Sequence, residues 1–467
     1  MNIIQRFKYA LTGRLPQGNT SLFPMGGQLI NDFQKQHEFV KNGYMGNAII
    51  YSIISQSSRK FSTVPRHLYQ IKDKQAFSQY KALLGDGTPT TGKAIATALN
   101  FRRKAMVPVE KHPIIDLLNR PNPTQGGAAF FENLYGFKQI NGAGSAWANR
   151  GGNPTGEPVE LWCLPSADIV IVIGKNPDGS YDYLEPAGYQ LQNGWVSNLR
   201  KEDVLYWKYF NPYWSSSGSH LYGLAPLEAG GMVANERNKA DKTSATIMQN
   251  QGSKGVLYST DPKGMSVDTR DKLQNRLDQE VNGLRNNGRV ALANSPLGYV
   301  DLGRTTVELS IDAIKRSSKE DLCNVFSFPP VLLDPSKGTL ANLEASIKFY
   351  VVNKVIPEWC GLRDDLNAWL LPMYKGAVGN LWIEPDFASL PELQEDLEKQ
   401  VNAVMKIWPL TPNQMLEFLG WETDPNNPEM NKRYIPANLV PLDQVNQPAT
   451  DISGDVSGLQ KYGLLDY

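Results

Sequence analysis

The sequence predicts an α+β protein assembled from several parts, and three observations carry that prediction. Two long helical segments, 225–252 and 305–327, flank a strand–helix–strand insert at 253–304. Ahead of them, residues 42–224 combine helical periodicity with strand pairs that turn through Asp-Gly and Asn-Gly. Behind them, residues 328–390 supply a loop, a helix and a strand, and 391–467 open with a helix pair. Helices and strands segregated in this way suit an α+β chain better than alternating βαβ units.

Residues 1–41 mix Gly, Pro and Gln with weak periodicity and read as an arm that orders on contact with a neighbour. From Asn42 to Ser58, Ile49, Ile50, Ile53 and Ile54 recur at helical intervals, and Val64 to Ile71 follows as a strand. Residues 76–110 contain a polar insert, GDGTPTTGK. A helix with Ile114, Ile115, Leu117 and Leu118 must stop before Pro121. The next, Ala128 to Ile140, presents Phe130, Leu134, Phe137 and Ile140, and strands are expected near Ala146, Glu160 and Ile169. Two hairpins follow, GKNPDGSYDYLE through its Asp-Gly and GYQLQNGWVS through its Asn-Gly.

The helix at 225–252 starts at Pro226, whose fixed φ suits a first turn. From Asn235 to Thr246 only Ala240 and Ala245 interrupt polar residues, so this helix faces solvent on most sides or packs beside copies of itself. The helix of the insert, Ser266 to Asn282, has Leu273, Leu277 and Val281 four apart, a serine at its N-cap and Gly283 at its stop. One narrow apolar stripe buries too little surface to hold a unit of about fifty residues, and strands from neighbouring subunits are expected to complete its core. The return helix at 305–327 carries Val307, Ile311, Ile314, Leu322 and Val325 and ends before Pro329-Pro330. Beyond a Gly-containing loop, a helix with Leu343, Ile347, Tyr350 and Val351 on one side is expected to break or kink at Pro357 and resume to Leu371. NLWIEPDF reads as a strand. Leu393, Leu397, Val401 and Val404 then mark one helix, Thr411 and Pro412 start another, and a loosely packed tail follows Trp421.

Composition narrows the function classes. A 467-residue chain with 41% hydrophobic and 20% charged residues is globular, not disordered. Lysine plus arginine equals aspartate plus glutamate at 47 each, so the basic excess of a typical DNA-binding protein is missing. Nothing resembles a signal peptide or a bilayer-spanning stretch. Cys163, Cys323 and Cys360 are odd in number and far apart, which argues against a disulfide framework or a zinc site and for core thiols.

Several motifs invite chemistry that their surroundings deny. GTPTTGKA, Gly87 to Ala94, fits seven positions of a phosphate-binding loop ending in Lys93. Ala94 lacks the hydroxyl that holds magnesium, Pro89 lacks an N–H, and the preceding KALLGDG is helix-like where a buried strand is required. His37, His67, His112 and His220 are scattered without metal-ligand spacing. Ser215 to Ser217 lack a nucleophile elbow. Trp207, Tyr209, Tyr213 and Trp214 could stack on bases, but VLYWKYF alternates as a half-buried strand does. No catalytic constellation, metal site or cofactor motif emerges.

Six segments in one order resemble the portal protein of tailed bacteriophages. They are HPIIDLLNRPNP (His112 to Pro123), ELWCLP (Glu160 to Pro165), LYGLAPLEA (Leu221 to Ala229), GVLY (Gly255 to Tyr258), FSFPPVLL (Phe326 to Leu333) and TLANLEA…FY…VIP (Thr339 to Pro357). The resemblance implies a non-enzymatic subunit of a dodecameric ring at one capsid vertex, through which double-stranded DNA is packaged and ejected. It implies a wing at 42–224 and 328–390, a helical stem at 225–252 and 305–327, a small α/β clip at 253–304 and a helical crown at 391–467. It also implies contact with a terminase, a major capsid or scaffold protein and a head–tail adaptor, in a virion assembled in the host cytoplasm.

The resemblance further implies that the loop Asp334 to Asn342, just before the tunnel helix, projects into the channel. Ser336, Lys337 and Thr339 would offer donors to DNA phosphate, with Gly338 giving the backbone freedom to move. Two alternatives stand beside this reading. One is a packaging NTPase using Lys93, and the other a monomeric virion adaptor or DNA-binding protein.

Overall fold

The computed structural model describes residues 33–85, 92–175, 181–192, 199–214, 218–249, 255–260, 266–280, 297–301, 310–387 and 389–393, with short stretches between 401 and 432. The chain forms two compact units, 1–72 with 106–393 and 73–105 with 394–467.

The first unit opens with α1 (Phe33–Glu38) and a π-helical turn, Phe39–Tyr44. These residues were expected to need a neighbour, but they pack on their own chain. Phe39 is buried, and the Asn141 side-chain amide donates to the Gln36 backbone and side-chain oxygens at 3.2 and 2.8 Å. An apolar side chain at 39 anchors what the weak periodicity of the arm concealed.

Helix α2 (Ala48–Ser62) starts at Asn47, whose Oδ1 accepts from the Ile49 and Ile50 amides. That cap satisfies two of the first-turn N–H groups. Strand β1 (Arg66–Ile71) follows, and the chain then enters the second unit as α3 (Lys74–Gly85) and α4 (Gly92–Ala105). It returns as β2 (Met106–Pro108), antiparallel to β1. Helix α5 (Pro113–Asn119) stops before Pro121, and α6 (Gly127–Asn141) presents Phe130, Phe131, Leu134 and Tyr135 to the core.

Strands β3 (Ala143–Asn149) and β4 (Glu160–Leu164) pair antiparallel, and β5 (Ile169–Lys175), β6 (Tyr181–Leu191) and β7 (Leu199–Arg200) form a second sheet in the order β5-β6-β7. The pairing expected from Asp-Gly is present as β5-β6, while β6 pairs onward with Leu199–Arg200, just past the expected GYQLQNGWVS segment; the turn residues and Trp195 to Ser197 lie outside the described ones. Strand β8 (Val204–Lys208) completes the order β4-β3-β8. It is not half-buried in alternation: Val204 and Leu205 are both covered, because Val204 packs with Ile169 and Tyr189 while Leu205 and Trp207 join the main core.

The centre of that core is a stack. Phe61 lies between Tyr135, at 4.3 Å, and Trp359, at 4.4 Å, and the Trp359 indole N–H donates to the Phe61 carbonyl at 2.8 Å. Where α6 ends, Gly142 takes a φ of +85°, which suits glycine as a helix stop. A Cβ on Gly223 would fall 2.1 Å from the Gly142 carbonyl oxygen, so the Leu221–Ala229 segment can seat here only with glycine at 223.

The segment expected as one helix at 225–252 is interrupted. Helix α7 (Pro226–Ala229) ends at Gly230, and α8 (Gly231–Gln249) restarts beyond it. Two consecutive glycines lower helix propensity enough to release the axis there. Strand β9 (Gly255–Ser259), helix α9 (Val267–Glu280) and strand β10 (Leu297–Asp301) follow, with β9 and β10 antiparallel. Ser266 Oγ accepts from the Thr269 amide, as its N-cap position requires. Residues 281–296, including Val281 and Gly283, lie outside the described ones, as does Val307.

Helix α10 (Ile311–Val325) returns alongside α8. It ends before Pro329 through Ser327, which adopts a left-handed φ of +52° while the Phe328 amide donates back to the Cys323 carbonyl. This is the exit usually given to glycine. Helix α11 (Leu340–Tyr350) then passes through a π-helical turn, Val351–Val355, into α12 (Ile356–Leu370). The helical run is therefore not broken at Pro357. Proline lacks an N–H, and the widened turn just before it lets the ladder omit that bond without unwinding. Strand β11 (Leu381–Pro385) pairs with β1, giving the order β11-β1-β2.

In the second unit, Asp73 Oδ1 accepts from the Gln75 and Ala76 amides to cap α3, which packs against α4. Helix α13 (Pro412–Phe418) has a reciprocal cap: Thr411 Oγ1 accepts from the Gln414 amide, and Gln414 Oε1 from the Thr411 amide. The expected helix with Leu397 and Val401 and the tail beyond 432 fall largely outside the described residues.

Candidate functional site

The loop before α11 is built from two tight turns. Residues Pro330–Leu333 and Pro335–Lys337 each form a short 3-10 helix, and the Gly338 amide closes the second on the Pro335 carbonyl at 3.2 Å. Proline at the start of each turn presets the φ these turns need. The loop is thus more ordered locally than its glycine suggested.

Gly338 itself has φ −109° and ψ 153°, an extended conformation open to any residue. Its glycine answers a different need. A Cβ at 338 would sit 2.7 Å from Val331 Cγ2, so a larger residue here would require the Val331 side chain or the turn to shift. The glycine thus sits where the second turn approaches Val331 closely.

Two of the expected phosphate donors have work inside the chain. The Ser336 hydroxyl donates to Asp334 Oδ1 at 2.8 Å, and Thr339 Oγ1 accepts from the Asn342 amide at 3.3 Å, capping α11. Asp334 also lies 3.8 Å from the Lys319 ammonium on α10. Of the contiguous Ser336, Lys337, Gly338 and Thr339, Gly338 lines a groove of about 630 Å³, whose walls include Ser327, Pro329, Val331, Ala345 and Phe349. Helix α11 is unusually bare for its composition: Leu340 is 72% exposed and Phe349 63%.

The remaining sequence candidates dissolve into structural roles. In place of the buried strand a phosphate-binding loop requires, the chain has helix α3; residues 86–91 lie outside the described ones. His37 Nε2 bonds Asp168 Oδ1 at 2.8 Å, His67 lies 3.9 Å from Asp386, His112 Nδ1 accepts from the Ile114 amide, and the His220 ring stacks on Trp214. Among the described residues no group of three or more His, Cys, Asp or Glu could hold a metal ion. Ser215 to Ser217 are outside the described residues. Trp207 is buried, while Phe210, Tyr213 and Trp214 are exposed. Cys323 is buried and Cys163 and Cys360 are half-buried, all as free thiols. Among the described residues no helix is long and apolar enough to cross a membrane.

Sequence reasoning missed a buried ionic cluster in the first unit. The Lys138 ammonium on α6 stands 2.7 Å from Glu358 Oε2 on α12, while the Tyr209 hydroxyl donates to Glu358 Oε1 at 2.8 Å and Lys354 approaches the same oxygen at 3.2 Å. Gln139 donates to the Tyr209 hydroxyl, and Lys138 also sits 3.5 Å above the Trp207 ring. Burial pushes the Glu358 carboxyl up, but the Lys138 and Lys354 ammonium groups more than offset it and hold the group below its ordinary value. Lys138, the single basic residue of α6, was the available signal. This cluster is saturated with internal partners and is a tie between helices.

Comparisons with known proteins agree with one another. The profile of the family described as Phage portal protein matches residues 93–420. An uncharacterised protein of Rickettsia bellii is 24% identical over 317 residues, 67% of this chain and 78% of that protein. One from Rickettsia felis is 23% identical over 316 residues, with the same shares covered. Among solved structures, the neck of the empty GTA particle computed with C6 symmetry has a chain 22% identical, with a TM-score of 0.58, covering 83% of this chain and 94% of that one. The neck of the native GTA particle computed with C12 symmetry has one 19% identical, with a TM-score of 0.57, covering 91% and 100%. The motifs found in order along the sequence, the mixed helical and sheet fold and the length of the family match converge: this chain belongs to the phage portal protein family.

Proposed function

We propose that this chain is the subunit of a closed ring at one vertex of a tailed-phage capsid, a conduit for double-stranded DNA in packaging and ejection. The carrying observation is the family match over residues 93–420. Alignment with the whole of a neck chain from a particle computed with C12 symmetry supports a dodecameric ring. We assign the wing to 42–224 and 328–390, the stem to 225–252 and 305–327, the clip to 253–304, the crown to 391–467 and an N-terminal arm to 1–41.

Surfaces left open by the single chain support the ring. Helix α8 buries only small side chains along its described length beyond Gly231, Ala234, Ala240 and Ser244, and none of residues 266–275 in the clip is buried. A clip of this size gains too little from its own core and would be completed by its neighbours. Phosphoryl-transfer chemistry would belong to a separate terminase seated on the ring, with a head–tail adaptor replacing it later. The major capsid or scaffold protein would surround the wing during assembly in the host cytoplasm. Within the channel, Lys337 would be the principal phosphate contact, with Ser336 and Thr339 mainly shaping the loop around Gly338.

Negative-stain images and a mass measurement on the purified protein test this reading. A ring with a central hole and a mass near twelve subunits is expected. A folded monomer at high concentration would overturn it.

A further inference from the structure

We infer that, in the ring proposed above, neighbouring copies meet along the stem, with Glu236 and Lys239 on α8 of one copy paired with Arg316 and Asp312 on α10 of the next. The inference rests on the ring reading and adds the residues that make its seam.

The stem hairpin is antiparallel, and its contacts fix which residues are level. At the base, a Cβ on Gly230 would lie 3.1 Å from Val325 Cγ1. Further out, Arg237 Nη1 donates to the Lys315 carbonyl at 2.7 Å, and Lys315 Nζ lies 3.2 Å from Asp241. Ala240 and Ser244 of α8 and Ile311, Ser318 and Leu322 of α10 are buried, and Asn238 turns to the Asn42 carbonyl. Each helix also carries an exposed edge clear of these contacts. Met232, Glu236, Lys239 and Thr243 are exposed on α8, at successive spacings of four, three and four. Asp312, Arg316 and Glu320 are exposed on α10, each four residues from the next.

Among the described residues none of Glu236, Lys239, Asp312, Arg316 and Glu320 has an ion-pair partner within its own chain, although Arg237, Asp241 and Lys315 beside them are fully engaged. A closed ring of identical copies uses two different surfaces of each subunit, and the two edges of one hairpin meet that requirement. Their charge order selects a register. With the edges level, Glu236 would face Glu320 and Lys239 would face Arg316. Shifted one turn toward the α10 N-terminus, Glu236 meets Arg316 and Lys239 meets Asp312, unlike charges at both places. Shifted the other way, Lys239 meets Glu320, but Arg316 then faces uncharged Thr243 and Glu236 passes beyond the charges of the α10 edge. The level register sets like charges together, which interfaces exclude most strongly, and of the two shifts the first makes two unlike pairs and the second one.

Charge swaps test the pairing. One variant carries Glu236→Lys with Lys239→Glu, a second carries Asp312→Lys with Arg316→Glu, and a third carries all four. Each two-site variant should lower the fraction of full rings by about tenfold or more at fixed concentration and low salt, read by mass photometry. The four-site variant should restore rings. So should an equimolar mixture of the first two, as alternating rings in which every seam joins unlike charges. Circular dichroism of the exposed-site variants checks that the chain still folds, and rescue by the four-site variant removes misfolding as an explanation. Wild-type levels of ring from either two-site variant, or losses that neither the four-site variant nor the mixture repairs, would overturn the pairing while leaving the ring. A wild-type protein that never forms rings would overturn both.

Discussion

Lys138 and Glu358, 220 residues apart in sequence, meet inside the first unit with ammonium and carboxylate 2.7 Å apart and side chains only 5% and 10% exposed. Helix α6 and helix α12 are tied at this point, directly beside the Phe61 stack. Removing one partner of such a pair leaves the other buried with less compensation. Lys138→Met should therefore destabilise the fold by about 3 kcal/mol in urea unfolding, the scale for breaking a buried pair. Lys354 still reaches Glu358, which keeps the loss from being larger.

The same cluster sets a response to acid. The folded Glu358 carboxyl titrates below its ordinary value, so its contribution is complete above the unfolded value and is lost as pH falls through the folded one. Wild-type stability should drop below about pH 4 more steeply than that of the Lys138→Met, Glu358→Gln double variant. Equal slopes in urea titrations across that range would dissociate the cluster from acid unfolding.

Gly338→Ala should cost about 1 to 3 kcal/mol, because its new methyl would fall 2.7 Å from Val331 Cγ2 in a conformation that is otherwise ordinary for alanine. Adding Val331→Ala should recover most of the loss. A glycine needed for backbone freedom would give no such recovery, so the double-mutant cycle separates the two accounts.

Lys337→Ala should leave ring assembly intact and weaken DNA packaging or retention, with the difference from wild type fading as salt rises. One phosphate contact per subunit would be weak alone and would repeat around the proposed ring. A photo-cross-linker at 337 should capture DNA in filled particles, and one at Asn275 in the clip should capture protein. Absence of DNA adducts at 337 would remove the loop from the channel.

Lys93→Ala should leave ring formation and packaging unchanged, since Pro89 and Ala94 already withhold the donors that phosphate and magnesium need. Packaging lost in that variant while rings persist would revive the nucleotide reading.

Local patterns in the sequence determined most of the elements. Isoleucines at helical spacing marked α2, Pro121 and Pro329 marked helix ends, Asp-Gly announced the β5-β6 pairing, and the order of six segments pointed to the portal family. These signals depend on residues close in sequence, where backbone sterics and periodicity act directly. Tertiary structure alone decided the rest. Lys138 and Glu358 lie far apart along the chain, and no local pattern marks them as partners. The need for glycine at 338 comes from Val331 approaching through space, and the order of residues 33–44 from Phe39 finding a buried place. The π-helical turn before Pro357 likewise depends on a helix held on both sides by the core, which makes rerouting one hydrogen bond less costly than ending the helix.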